Sequence, residues 1–448
     1  MSPKNTDLAI LGAGAAGMMA ALCAADRGMH VALFDPFWST PNNLELSGGL
    51  FPAAGSQLQS MAGVDDSPGQ WLADLRAYAG SSVNERIAAP VAQSLPQVVA
   101  FLVERMQMPV RFLADVPAPG HGAVRFHSVT PASGPALSDC LRRAVRAHPL
   151  IDCRVDVVVS RMERAEKGFE LIDAARHTHA RQLLLAGGGF GGAADMVTEF
   201  IPEMSGALHS GSPTNDGSVI GMARAWGAAL AGMDGYQGQG HTHPGGHTRL
   251  GMSIPTLGGI MVDRSGQRFV REDIGPSALA AKVLARPGQL ALEVFDAAIE
   301  ARLGNHSAYA AAKVAGRVLE ADTLEELARA AGVPVHALAG SVALAVQCAE
   351  GASGSSDPLG RARFAQPLTA PYRASWVTGS LAHTQGGIVT DGRGRVLTAD
   401  GQPIPCLYAS GGCAAGLSGQ GGDGYLPGNG LAQSFGLAFN AVAAMAGD

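Results

Sequence analysis

Three glycines, Gly12, Gly14 and Gly17, and a carboxylate at Asp35 are the residues whose types and spacing speak most directly of chemistry in this 448-residue chain. The first glycine permits a tight turn, the second lets backbone approach a pyrophosphate, and the third lets a helix close on a strand. Ala15 and Ala16 open that helix, where unpaired N–H groups and the dipole favour an anion. Asp35 stands where an acid can take a ribose hydroxyl. The implied chemistry is the binding of a dinucleotide. His241, His243 and His247 crowd one loop, but no carboxylate or Cys nearby completes a ligand set, so no metal centre is expected. The six cysteines, at 23, 140, 153, 348, 406 and 413, form no CxxC pair and read as free thiols. For Cys406 and Cys413, which flank a glycine turn, a redox role is the competing reading.

The elements that must hold these residues are legible around them. Asp7 to Leu11 reads as a buried strand, Ala15 to Arg27 as an Ala/Met-rich helix ended by Gly28, and Val31 to Phe34 as a second strand finishing on Asp35. Met18, Met19 and Met222 read as helix core. Further glycine clusters lie at Ser47-Gly48-Gly49, Ala186 to Gly192, Gly386-Gly387, Gly411-Gly412 and from Gly416 to Gly430. Each follows a strand-like segment or opens a helix-like one, as in a cofactor domain assembled from distant pieces. Residues 152–160 and 168–173 suggest an antiparallel meander leading to a strand at 182–186. From about 235 to 365 the texture changes to a His/Gly loop and helix-like stretches at 288–302, 323–331 and 335–349, with Thr323 as an N-cap. This region reads as an inserted second domain, so the expected division is 1–233, 234–366 and 367–448.

Length favours two domains, and 47% hydrophobic against 16% charged residues supplies ample core. A net charge of −6 without basic runs argues against nucleic-acid binding. Neither a leader nor a stretch of about 18 apolar residues is read in the chain, so no membrane span and a cytoplasmic location are expected.

The order of the clusters resembles the FAD-dependent fumarate reductase and succinate dehydrogenase flavoprotein family, the FAD-dependent oxidoreductase 2 group that also includes soluble fumarate reductases and 3-ketosteroid Δ1-dehydrogenases. The resemblance covers almost the whole chain. It rests on Gly12 to Gly17, Ser47-Gly48-Gly49, Leu185 to Gly192, Asn215-Asp216-Gly217-Ser218, Gly266 to Glu272, His383-Thr384-Gln385-Gly386-Gly387, Leu407 to Gly411, and Gly428-Asn429-Gly430. It implies an α/β fold: a Rossmann-like FAD-binding domain split in sequence, with an inserted α+β substrate-capping domain. FAD would be held by Gly12, Gly14, Ala15, Ala16, Gly17, Asp35, Ser47, Gly48, Gly49, Ala186, Gly187, Gly188, Asn215, Asp216, Gly411, Gly412, Gly428, Asn429, Gly430 and Leu431. Relatives with covalent flavin use a His just before the Ser/Gly-Gly turn. Asn42 to Leu46 offers none, so the FAD is expected to be non-covalent.

The chemistry implied is formation or reduction of a C=C bond beside a carbonyl or carboxylate, with hydride exchanged at flavin N5. The pattern departs from the family where proton transfer and substrate binding are concerned. Four residues beyond Glu272, where fumarate reductases carry a proton-donating Arg and steroid dehydrogenases a Tyr, stands Pro276. Where fumarate reductases bind a carboxylate with Arg, Tyr425 precedes Leu426-Pro427-Gly428, closer to the steroid enzymes' ketone-binding Tyr. A Glu reaching the flavin ribityl chain is replaced by Gly412. The remaining candidates for the catalytic site are Tyr425, His383, His241, His243 and Arg249, with Arg271 and Tyr236 behind them. Tyr425 and the amides of Gly428 to Gly430 would hold a substrate oxygen, and His383 or His241 would move a proton. The implied partners are a small-molecule substrate and an external electron acceptor or donor. Two other readings compete. One is a fumarate-like reductase of unsaturated carboxylates that takes its cation from Arg249 or Arg271. The other is a flavin-binding electron-transfer subunit with a degenerate active site.

Overall fold

The structure, a computed structural model, describes residues 4–174, 176–245, 250, 253–303, 307–351, 357–361 and 364–447. The chain divides into two compact units: Met1–Phe200, Gly211–Tyr236 and His383–Asp448 form one, Ile201–Ser210 and Gln237–Ala382 the other.

The first unit is built on a sheet in the order Arg395–Leu397, Pro403–Ala409, His177–Leu185, Lys4–Leu11, Val31–Asp35, Ile151–Val155. All neighbours pair parallel except the antiparallel edge Arg395–Leu397. Parallel strands are covered on both faces, which is why Leu8 to Leu11 and Leu183 to Leu185 are unbroken apolar runs. The helix Ala15–Asp26 is buried from Ala15 through Ala25, and its small side chains let it lie against the C-terminal helix Asn429–Ala446. The meander expected at 152–173 begins later than the sequence suggests. Ile151–Val155 extends the parallel sheet beside Val31–Asp35, and only Val159–Arg164, Phe169–Asp173 and His177–Leu185 run antiparallel.

The helix Glu85–Ala100, prolonged by a wider turn over Phe101–Arg105, is a second departure. Its 21 residues, at a mean hydropathy of 1.4, are long and apolar enough to cross a membrane. Here Ile87, Val91, Leu95, Val98 and Leu102 are buried, and the helix packs on Pro68–Ala79 and Asn429–Ala446.

A small sheet of Phe51–Pro52, Phe126–Ser128 and Arg111–Phe112 carries a buried histidine. The Arg125 carbonyl accepts from His127 Nδ1–H at 3.0 Å, so Nε2 accepts from the Ser56 hydroxyl at 2.7 Å. Burial lowers the pKa of His127 to about 4. An unfolded chain would protonate this residue near 6.5 and the native one would not, so stability is complete above 6.5 and falls as pH drops toward 4. Against a His127→Gln variant, which cannot titrate, the wild type loses about 3 kcal/mol of its advantage between pH 7 and 4. Thermal unfolding across that range measures the loss, and parallel profiles for the two proteins would refute it.

The second unit holds a sheet in the order Leu208–His209, Tyr372–Thr384, Ala291–Asp296, Ile260–Val262, with Tyr236–Thr242 and Leu319–Ala321 also paired to Tyr372–Thr384. Residues 288–302, expected as a helix, divide into the strand Ala291–Asp296 and the helix Ala297–Leu303. Every residue of that strand is buried between two neighbours, which overrides the helical tendency of Ala, Leu and Glu. The helices Leu324–Ala331 and Val335–Ala349 form as expected, and Thr323 and Glu326 close a capping box.

Candidate cofactor and substrate site

A cavity of about 650 Å³ lies within the first unit, at the C-terminal ends of its parallel strands. Leu11, Asp35 and Ala186 mark those ends. Gly12 has φ +100°, and a Cβ there would collide with the Ala186 carbonyl; one at Gly17 would collide with the Gly12 carbonyl. Gly14 differs, because a Cβ there meets nothing within 4 Å. Gly17 therefore packs helix on turn and stays out of the cavity, while Gly12, Gly14, Ala15 and Ala16 line it. No side chain caps the helix Ala15–Asp26, so its first N–H groups remain for a ligand. Asp35 Oδ2 accepts from Ala13 N–H at 2.7 Å and Oδ1 from Phe37 N–H at 2.8 Å, which fixes the carboxylate at the cavity wall.

Ser47 lines the cavity, its hydroxyl donating to the Leu44 carbonyl at 2.7 Å and accepting from Gly49 N–H at 3.0 Å. Gly48 and Gly49 are not in the lining. Gly49, at φ +67°, is required by the approach of Ser133 and Gly134. On the opposite wall stand Ala186, Gly187, Gly188, Asn215 and Asp216. Gly188 has φ +83°, and a Cβ there would strike the Asn215 side chain. Gly411 and Gly412 complete this wall; a Cβ on Gly412 would come 3.0 Å from Gly189 N, a close fit that a Glu could meet only if the backbone gave way slightly.

Gly430 and Leu431 bring the first turn of Asn429–Ala446 into the lining, and this helix too has no side-chain cap. Gly428 and Asn429 lie behind it. A Cβ on Gly428 would meet the Phe126 ring, and the Asn429 amide donates to Ser418 Oγ at 2.9 Å. The turn's amides are also less available to substrate than its glycines suggest. Asn429 N–H donates to the Leu426 carbonyl, and Gly430 N–H to the Tyr425 hydroxyl at 3.2 Å.

Tyr425 and His383 do come together. Both line the cavity, with ring centroids 5.0 Å apart and planes at 71°. Burial raises the pKa of the Tyr425 hydroxyl, which keeps its proton available for donation. Among the described lining residues the one cation is Arg161, which is paired with Glu163 at 2.6 Å.

The other candidates, except Tyr236, fall in the second unit. His241 is buried, with Nδ1 2.8 Å from Glu293 Oε1. His243 is half-buried, its Nδ1 accepting from Gly245 N–H at 3.0 Å, and burial lowers its pKa. Arg249 and His247 lie outside the described residues. Arg271 is exposed beside Asp273 at 2.8 Å. Pro276 is the first residue of the helix Pro276–Leu284, a position where its missing N–H costs nothing. The Gly266 to Glu272 motif serves structure: Glu272 binds Arg268 at 2.8 Å and Arg361 at 2.9 Å, and Arg268 binds Asp357 at 2.7 Å, all four side chains nearly free of solvent. Tyr236, in the first unit, is buried.

Sequence reasoning missed one wall of the cavity, Val157 to Met162 with Phe37 and Trp226. The signal available was Val157-Val158-Val159, an apolar triplet at the entrance of the strand Val159–Arg164, where the structure leaves Val158 63% exposed. Met18 and Met19 are core as expected, but Met222 faces the cavity, because its helix lays one side along it. Cys406 is exposed. Cys413 is buried, donates to the Leu185 carbonyl at 3.1 Å and has its thiol pushed up to about 12, which removes the thiolate a redox role needs.

Residues 7–431 match the family model described as FAD binding domain. A probable fumarate reductase of Shewanella frigidimarina is 27% identical over 430 residues, 93% of this chain and 71% of that protein. A 4-oxocyclohexanecarboxylate 2-dehydrogenase of Sinomonas cyclohexanicum is 26% identical, with 100% of this chain and 96% of that protein covered. Among solved structures, the open conformation of a flavocytochrome c3 fumarate reductase superposes with a TM-score of 0.85 at 25% identity, covering 100% of this chain and 79% of that one. The 3-ketosteroid Δ1-dehydrogenase of Sterolibacterium denitrificans shares the fold, with a TM-score of 0.78 at 21% identity and 99% of both chains covered.

Proposed function

The chain belongs to this FAD-binding family and is an FAD-dependent oxidoreductase acting on CH–CH groups, and from that premise we propose that it forms or reduces the C=C bond next to the carbonyl of a small, cyclic or otherwise apolar molecule. The residues present fit FAD. The uncapped helix start at Ala15 opens on the cavity, and Gly430 and Leu431 of the C-terminal helix line it; Gly14 leaves room for a pyrophosphate, and Asp35 is fixed where a ribose would lie. Bound there, FAD supplies the two-electron acceptor or donor. Non-covalent attachment is part of the proposal, since Asn42 to Leu46 at the cavity contains no His.

The observation that carries the reading is the pair Tyr425 and His383. The Tyr425 hydroxyl receives the Gly430 N–H, so its own proton is left to donate to a substrate oxygen. Negative charge grows on that oxygen as a proton leaves the carbon next to the carbonyl, and a donor already in place stabilises it without reorganisation. The described lining offers no pair of arginines for a dicarboxylate, which favours a neutral or singly charged substrate. The Sinomonas relative, named for a cyclic ketone with one carboxylate, agrees. The division into an FAD-binding part, 1–233 and 367–448, and a substrate-capping part, 234–366, belongs to the same proposal, as do an external electron partner and a cytoplasmic setting.

Anaerobic titration of the FAD-loaded protein tests the reading. Bleaching of the flavin band by saturated cyclic ketones, or reoxidation of the reduced protein by the matching enones, is the expected result. Exchange with succinate and fumarate alone would establish the carboxylate reading that the Shewanella relative favours. Inertness toward all small molecules would leave an electron-transfer subunit, the reading that Pro276 favours.

A further inference from the structure

Gln385 stands two residues beyond His383 and also lines the cavity. Its side-chain amide nitrogen lies 3.0 Å from His383 Nδ1. An amide N–H can only donate, so Nδ1 must be the bare, accepting nitrogen, and a neutral imidazole then carries its proton on Nε2. The amide is held in this place. Gln385 N–H donates to the Gly235 carbonyl at 2.7 Å, and the Gln385 carbonyl accepts from Gly416 N–H at 2.7 Å. Three glycines enclose the side chain: a Cβ on Gly235 would come 2.9 Å from Gln385 Cβ, one on Gly419 2.9 Å from Cγ, and one on Gly416 3.1 Å from Oε1. The buried side chain is closely confined in this slot, and its amide meets the imidazole ring there.

We propose that Gln385 is a positioning residue that fixes His383 in the Nε2–H tautomer, so that His383 meets the substrate oxygen as a neutral hydrogen-bond donor beside Tyr425. This rests on the ketone reading for its catalytic consequence, but not for the tautomer itself. A second proton on Nδ1 would face the donating amide, so forming the imidazolium costs a hydrogen bond. The contact therefore suits His383 to donating from Nε2. The arrangement differs from a histidine oriented by a carboxylate, which favours Nδ1–H and the imidazolium.

The test uses the FAD-loaded protein with 15N-labelled histidines and long-range 1H–15N correlation spectra at pH 7, with the His383 signals assigned by their loss in His383→Asn. The wild type should show a bare Nδ1 and a protonated Nε2. Gln385→Met should release the preference and mix the tautomers, and Gln385→Glu should place a proton on Nδ1. An Nδ1–H tautomer in the wild type, or a wild-type pattern unchanged in both variants, overturns the proposal. In ketone turnover Gln385→Met should lower kcat at least tenfold with KM nearly unchanged, short of the ~10²–10³-fold cost of losing one donor outright. If no ketone reacts, the function proposed above fails while the spectra still decide the tautomer.

Discussion

Tyr425→Phe leaves FAD bound and slows flavin reduction by cyclic ketones about 10²–10³-fold, the cost of removing one preorganised donor from a developing oxyanion. The substitution keeps the ring, and with it the edge contact to His383 at 5.0 Å. It removes the hydroxyl proton from the substrate and the hydroxyl oxygen from Gly430 N–H, 3.2 Å away. The two losses have different signatures. Loss of the proton affects the transition state and so lowers kcat. If the hydroxyl only tethered the turn, FAD would dissociate more readily and the melting temperature would fall while kcat at saturating FAD stayed near wild type. Anaerobic stopped-flow reduction together with flavin fluorescence separates these outcomes, and a rate within threefold of wild type would remove Tyr425 from the chemistry.

Glu272→Gln should destabilise the second unit by about 3–5 kcal/mol, the usual cost of breaking a buried ion pair from one side. Glu272 is shared by Arg268 and Arg361, and its Oε1 also accepts from Met261 N–H at 3.0 Å. Neutralising it leaves two buried guanidinium groups with Asp357 as the acid that remains between them. Arg271→Ala, three residues from Arg268 but exposed, breaks only a solvated pair with Asp273 and should cost less than about 1 kcal/mol. With two units in the chain a single unfolding curve is not two-state, so native-state hydrogen exchange at the strand Ala291–Asp296 is the measurement to use. Equal protection in the two variants would mean that the Glu272 cluster adds nothing to stability.

The parts of this molecule that could be read from sequence are the ones whose causes are local. Gly17 needs glycine because of the Gly12 carbonyl five residues before it and Gly12 because of its own φ of +100°, although Gly12 also admits the distant Ala186 carbonyl, and Asp35 follows one strand later. The Thr323 cap likewise depends on Glu326 alone. Ala291–Asp296 has good helix formers and becomes a strand only because Ile260–Val262 and Tyr372–Thr384 flank it. His241 was visible as a titratable group, but its partner Glu293 lies 52 residues away and no spacing rule links them. Gly48 and Gly49 show the opposite case. They belong to a motif, yet the structure uses Gly49 to admit Ser133 and Gly134. The wall from Val157 to Met162 escaped notice because apolar residues entering a strand look like core until their exposure is known.

The order of strands across the first sheet has a consequence for how the protein is made. Lys4–Leu11 lies beside His177–Leu185, and Pro403–Ala409 joins only on the far side of that strand. The helix Asn429–Ala446 then packs against Ala15–Asp26. A chain leaving the ribosome therefore carries its phosphate-binding turn for some four hundred residues before the last of the cavity lining, Gly411 to Ser434, exists. Such long-range pairing is slow and leaves strand edges open meanwhile. The cavity is complete only after synthesis of residues beyond 430, and a nascent chain stalled before them would have every residue of the fingerprint and an unfinished pocket behind it.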